Sequence, residues 1–96
     1  MHSFAYKNGT LYCENVNLQE LADKEGTPLY VYSKQTILNH FHRLREALAP
    51  LNAEVAYAVK ASSNIAILNL MARNGAGFDI VSGGELFRVL KAGGDP

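Results

Sequence analysis

The chain has little of what would assign it quickly. It holds a single cysteine, Cys13, so no internal disulfide can form, and a lone thiol suits a reducing compartment. It has no excess charge: nine basic and nine acidic residues cancel, which leaves no strongly basic face for nucleic acid or an anionic membrane. No apolar run approaches the length needed to span a bilayer. The start, Met1-His2-Ser3-Phe4-Ala5-Tyr6-Lys7, lacks a basic segment followed by an apolar one, so no secretory signal is expected and the cytoplasm is the default location. His40 and His42 stand two apart on a predicted helix and do not share a face. Together with His2 and Cys13 they form no metal-ligand spacing, and Cys13 reads as a packed thiol rather than a nucleophile.

What is present suffices for a folded core. Hydrophobic residues make up 48% and charged residues 19% of the 96, the balance of an ordinary globular chain. Asn8-Gly9 between Phe4-Tyr6 and Leu11-Tyr12 predicts a hairpin. Asn17 is placed to cap a short helix that Gly26 ends and Pro28 prevents from resuming. Leu29-Tyr30-Val31-Tyr32 has the composition of a strand. Ser33 then caps a longer helix, about Lys34 to Leu48, whose apolar stripe is Ile37, Phe41, Leu44 and Leu48.

From there the pattern alternates. Val55–Val59 predicts a strand, Asn64–Arg73 a helix closed by Asn74-Gly75, Phe78–Val81 a strand, and Ser82–Ala92 a helix opened by a capping box of Ser82 with Glu85. Short links between such elements imply parallel strands joined by a right-handed crossover. Two parallel strands expose edges that call for further strands. Residues 54–96 therefore read as the opening of a larger α/β domain, and the Gly93-Gly94-Asp95-Pro96 end reads as a turn leading onward.

Two side chains stand out. In a regular strand Ala56, Ala58 and Lys60 share one face, and Val55, Tyr57 and Val59 the other. A lysine at the C-terminal end of a barrel strand, above small Ala58, has room beside it for a flat ligand and can attack a carbonyl to form a Schiff base. From spacing alone, a solvated lysine just past a strand end is the commoner outcome. On the second strand Asp79 lies among apolar residues and is expected to be buried, with the Lys60 ammonium as its natural partner. Ser82-Gly83-Gly84 could offer N–H groups to an anion, but capping of its own helix explains it equally simply. Its glycines match neither dinucleotide nor P-loop spacing.

The stretch Tyr57-Ala58-Val59-Lys60-Ala61-Ser62-Ser63-Asn64 resembles the cofactor-lysine motif of the pyridoxal-phosphate decarboxylases of alanine-racemase fold. Gly77-Phe78-Asp79-Ile80-Val81-Ser82-Gly83-Gly84-Glu85-Leu86 is similar to their next motif, in the wording of the diaminopimelate branch rather than the ornithine branch. Thr27-Pro28-Leu29-Tyr30-Val31-Tyr32 is similar to the segment preceding their barrel. Ser62 departs from the usual asparagine. The resemblance implies an α/β fold: residues 34–96 begin a pyridoxal-phosphate-binding (β/α)8 TIM barrel, and residues 1–33 contribute strands to a separate β-domain. It implies that pyridoxal 5'-phosphate is held by Lys60, with Asp79 and Ala58 beside it. The implied reaction removes carbon dioxide from the D-centre of meso-diaminopimelate, giving L-lysine. The implied parent is a homodimer acting on a small amino acid, with its phosphate-binding and ring-nitrogen partners beyond Pro96. Arginine, ornithine or carboxynorspermidine decarboxylases, or a non-catalytic carrier of the cofactor on the same barrel, are the competing readings. A chain with only two barrel strands is expected to be inactive and poorly folded alone.

Overall fold

A computed structural model describes residues 1–96. The chain forms two compact units, Met1–Arg43 and Leu44–Pro96. No helix is long and apolar enough to cross a membrane.

The first unit begins with β1 (Phe4–Lys7) and β2 (Thr10–Cys13), antiparallel with Lys7 opposite Thr10. The two-residue loop between them requires positive φ at both positions, and Asn8 and Gly9 adopt φ of 52° and 79°. The expected hairpin is therefore present. A third strand, β3 (Val16–Asn17), pairs antiparallel with β2. The cap signal at Asn17 predicts the helix and not this strand, because two residues are too few to show alternation. Asn17 serves both roles: its side chain accepts from the amides of Gln19 and Glu20 and opens α1 (Leu18–Glu25), which Gly26 terminates at φ 89°.

Leu29–Tyr32 corrects the sequence reading, since it joins no ladder. Its β-rich composition has no partner strand within the chain, and composition without pairing does not make a strand. Tyr30 and Tyr32 are exposed. Next is α2 (Lys34–Leu48), with the bounds that the periodicity predicts. Ser33, 3% exposed, is its cap: Ser33 Oγ accepts from the Thr36 amide at 3.1 Å and donates to the Glu14 carboxylate at 2.9 Å. Of the predicted stripe Phe41 is buried and Leu44 is exposed. Pro50 lies inside a single 3-10 turn, Ala49–Leu51, that follows the helix.

The second unit is the predicted alternation: β4 (Ala56–Ala58), α3 (Ile65–Arg73), β5 (Gly77–Asp79) and α4 (Gly83–Lys91). Both strands are shorter than predicted, and β5 begins one residue earlier. They pair in parallel, with Ala56 opposite Gly77, Tyr57 opposite Phe78 and Ala58 opposite Asp79. Gly77 donates to the Val55 carbonyl at 2.9 Å. The core is Val59, Leu68, Val89 and Ala92, with Tyr57, Phe78 and Ile80 packed against it. One face of the pair is thus covered by α3 and α4, as the placing of the bulky residues anticipated. Gly94 closes the unit: its amide donates to the Val89 carbonyl, and a Cβ there would collide with the Val89 side chain.

Candidate functional site

The site is built where both strands stop. β4 ends at Ala58 and the chain turns at once into a single 3-10 turn, Val59–Ala61. Lys60 therefore does not continue the alternation of the strand. Val59 takes the inward position and is fully buried, and Lys60 next to it is exposed. The expected sharing of a strand face by Ala58 and Lys60 is corrected here. β4 ends at Ala58, so Lys60 lies on the turn that follows the strand and not on a face of it. The neighbours of Lys60 are small, with Ala58, Ala61, Ser62 and Ser63 on either side.

β5 ends at Asp79, the direct ladder partner of Ala58. Asp79 is exposed, not buried. Its strand neighbour Phe78 and the following Ile80 pack on the core, so the alternation turns Asp79 to the other face, which α3 and α4 leave uncovered. Val81, one of the apolar residues near it in the chain, is itself 70% exposed. No ion pair joins Asp79 to Lys60. Both charged groups are nevertheless carried on adjacent strand ends, with the amine two residues beyond the Ala58–Asp79 pair.

After Asp79 the chain enters α4. Ser82 Oγ accepts from the Glu85 amide at 3.1 Å, and the Glu85 carboxylate accepts from the Val81 amide at 3.0 Å. This is the predicted capping box with its return bond shifted one residue toward the N-terminus. These contacts explain Ser82 and Glu85 as elements of the helix start.

The spacing counts Tyr57 as bulk alone. In the structure its hydroxyl donates to the Ser62 carbonyl at 2.9 Å, and its ring meets Phe78 edge to face, centroids 6.4 Å apart. Arg88 of α4 donates to the next carbonyl, that of Ser63, at 3.3 Å. A half-buried tyrosine five residues before a run of small polar residues is the signal available for the first contact, because buried tyrosine hydroxyls find acceptors. Nothing in the spacing announces Arg88. His40, His42 and Cys13 lie in the first unit, with Cys13 buried as expected of a packed thiol.

This arrangement offers an exposed primary amine on a short turn, small residues beside it, and a carboxylate one strand away. It suits covalent capture of a carbonyl compound. Comparison with known proteins gives the family. Residues 34–96 match the family model "Pyridoxal-dependent decarboxylase, pyridoxal binding domain". The chain is 52% identical over 95 residues to diaminopimelate decarboxylase from Haemophilus influenzae, covering 99% of this chain and 23% of that protein. It is 55% identical over 86 residues to the enzyme of the same name from Neisseria meningitidis serogroup B, covering 90% and 21%. The chain thus spans less than a quarter of these curated relatives. Among solved structures it superposes with TM-score 0.91 on a protein from Aquifex aeolicus, 47% identical, covering 96% of this chain and 22% of that one. A diaminopimelate decarboxylase from M. jannaschii in complex with L-lysine gives TM-score 0.88 at 40% identity, covering 94% and 22%. The α/β architecture, antiparallel strands leading into parallel βα units, is that of the N-terminal region of these enzymes.

Proposed function

This chain belongs to the pyridoxal-dependent decarboxylases, as part of their pyridoxal-binding domain, and from that membership we propose that the protein carrying it converts meso-diaminopimelate to L-lysine and carbon dioxide, with Lys60 holding pyridoxal phosphate. The observation that carries this reading is the placing of Lys60: an exposed amine on the turn that ends β4, with small residues around it and no ion pair to occupy it. That is the donor chemistry a carbonyl cofactor needs. The names of the relatives support the substrate, and L-lysine in the M. jannaschii structure is the compound that decarboxylation of diaminopimelate leaves.

When bound, the cofactor supplies a carbonyl for exchange of amines and a ring that takes up the electron pair released as the carboxylate leaves. The rest of the reading concerns this chain's own groups. The Lys60 amine would hold the cofactor, as an exposed primary amine on the turn that follows β4. Ala58, the last residue of β4, brings only a methyl group to the strand end. The Asp79 carboxylate, at the end of the neighbouring strand, favours positive charge in that space. Val59, buried beneath, keeps the turn seated. The domain division expected from the sequence, residues 1–33 to a β-domain and 34–96 to the barrel, is part of this proposal. So is a cytoplasmic location, in which the single thiol of Cys13 stays reduced.

The test is chemical. The complete protein, loaded with pyridoxal phosphate, is reduced with borohydride and digested, and the labelled peptide is sequenced. Label on Lys60, together with release of carbon dioxide from meso-diaminopimelate in preference to ornithine or arginine, is the expected result. Label on another lysine overturns the site, and preference for ornithine or arginine overturns the substrate.

A further inference from the structure

We propose that Tyr57, assisted by Arg88, is a positioning residue for Lys60: it ties down the far end of the turn that carries the amine. The inference deepens the reading of Lys60 as the cofactor lysine and rests on it.

The turn is short and has little of its own to hold it. Val59–Ala61 is a single 3-10 turn whose N-cap residue, Ala58, has no side chain able to cap it. Such turns have poor internal hydrogen-bond geometry. The chain enters from β4, fixed by the ladder, and leaves through Ser62, which is extended at φ −164°. On the entry side the buried side chain of Val59 is a firm anchor. On the exit side the fixed points are the two carbonyls of Ser62 and Ser63. Tyr57 reaches the first at 2.9 Å and Arg88 the second at 3.3 Å.

Tyr57 is well suited to this. Its backbone belongs to the ladder opposite Phe78, and its ring rests against Phe78 and the core. Its hydroxyl therefore has a fixed origin, and the bond to Ser62 closes a loop of which Lys60 is the middle. An amine that would have to meet an aldehyde carbon benefits from such closure, because reaction rates fall steeply when the reacting atom wanders. Arg88 joins the same loop to α4.

Tyr57→Phe in the complete protein removes the hydroxyl and keeps the ring on Phe78. Apoprotein is mixed with pyridoxal phosphate, reduced with borohydride after timed intervals, and the label on each lysine is quantified. The expected result is label at Lys60 in both proteins, entering about tenfold more slowly in Tyr57→Phe, the rate equivalent of one neutral hydrogen bond. Hydrogen exchange at the amides of residues 59–63 accelerates, and the visible circular dichroism of the bound cofactor changes. A tyrosine that only supports the fold would lower the melting temperature, leaving the labelling rate per folded molecule and the dichroism as in wild type; that outcome overturns the proposal. Should Tyr57→Phe fail to fold, Arg88→Met, at an exposed position, decides: slower labelling of Lys60 supports the proposal and an unchanged rate overturns it. Wild-type label on a different lysine overturns the reading of Lys60 itself, and is distinguished by being seen before any substitution is made.

Discussion

Ala58 and Asp79 are direct partners in the parallel ladder, and each is the last residue of its strand. The two strand ends are therefore level, and whatever the chain carries next on either side is delivered to the same place. On one side that is the turn with Lys60; on the other, Asp79 itself marks the end.

Replacing Lys60 by alanine removes the amine from an exposed position. Surface changes of this kind alter stability by about 0.5 kcal/mol or less, so the complete protein is expected to fold normally. Its turnover of meso-diaminopimelate is expected to fall by roughly 10³-fold or more, as when other covalent residues are removed. Steady-state kinetics beside a thermal melt check both halves.

Asp79→Asn keeps the shape and deletes the charge. Because Asp79 is exposed at the end of β5, the melting temperature should scarcely move. Turnover or cofactor affinity in the complete protein should drop, by about tenfold for loss of an interaction near 1.4 kcal/mol. Unchanged kinetics and unchanged affinity would remove Asp79 from the site.

Gly94→Ala addresses packing. The added methyl group meets the Val89 side chain and lies 3.0 Å from the Val89 carbonyl, both at the core cluster. Overpacking of this kind costs about 1–3 kcal/mol, which a lower midpoint in urea denaturation would register.

Ser33→Ala deletes a hydroxyl that caps α2 and binds the Glu14 carboxylate. Loss of an N-cap costs about 1 kcal/mol. Since Ser33 is buried, the expected loss lies toward the upper end, about 2 kcal/mol. Ser33→Thr, which keeps the donor and acceptor, should recover most of it.

Much of this was legible in the residues, for reasons that differ by element. The helices were found because caps and periodicity are local: Asn17, Ser33 and Ser82 each cap where the sequence says they should, and Asn64, read as the first helical residue, is the cap just before it. The parallel pair followed from alternation of strand and helix. Three features escaped. The two-residue strand β3 is too short to carry a pattern. Leu29–Tyr32 has strand composition but no partner in the chain, and pairing is not local information. The turn at Val59–Ala61 broke the assumed alternation, because apolar and small residues fit a strand and a tight turn alike. That break places Lys60 past the end of β4 rather than on it. At Asp79 the error lay in judging burial from neighbours along the chain, when alternate residues of a strand face opposite ways.

The turn also limits how this protein can be altered. Val59 is locked inside the core and Lys60 follows it directly, so the position proposed for the reactive amine has no freedom to slide along the chain. A lysine transplanted to position 59 would put its ammonium among Leu68 and Val89. One transplanted to 61 would start a residue nearer the Ser62 clasp. Libraries that seek new chemistry by moving the amine should therefore recover only variants in which it stays at 60, whereas libraries that vary the small residues around it have far more room to succeed.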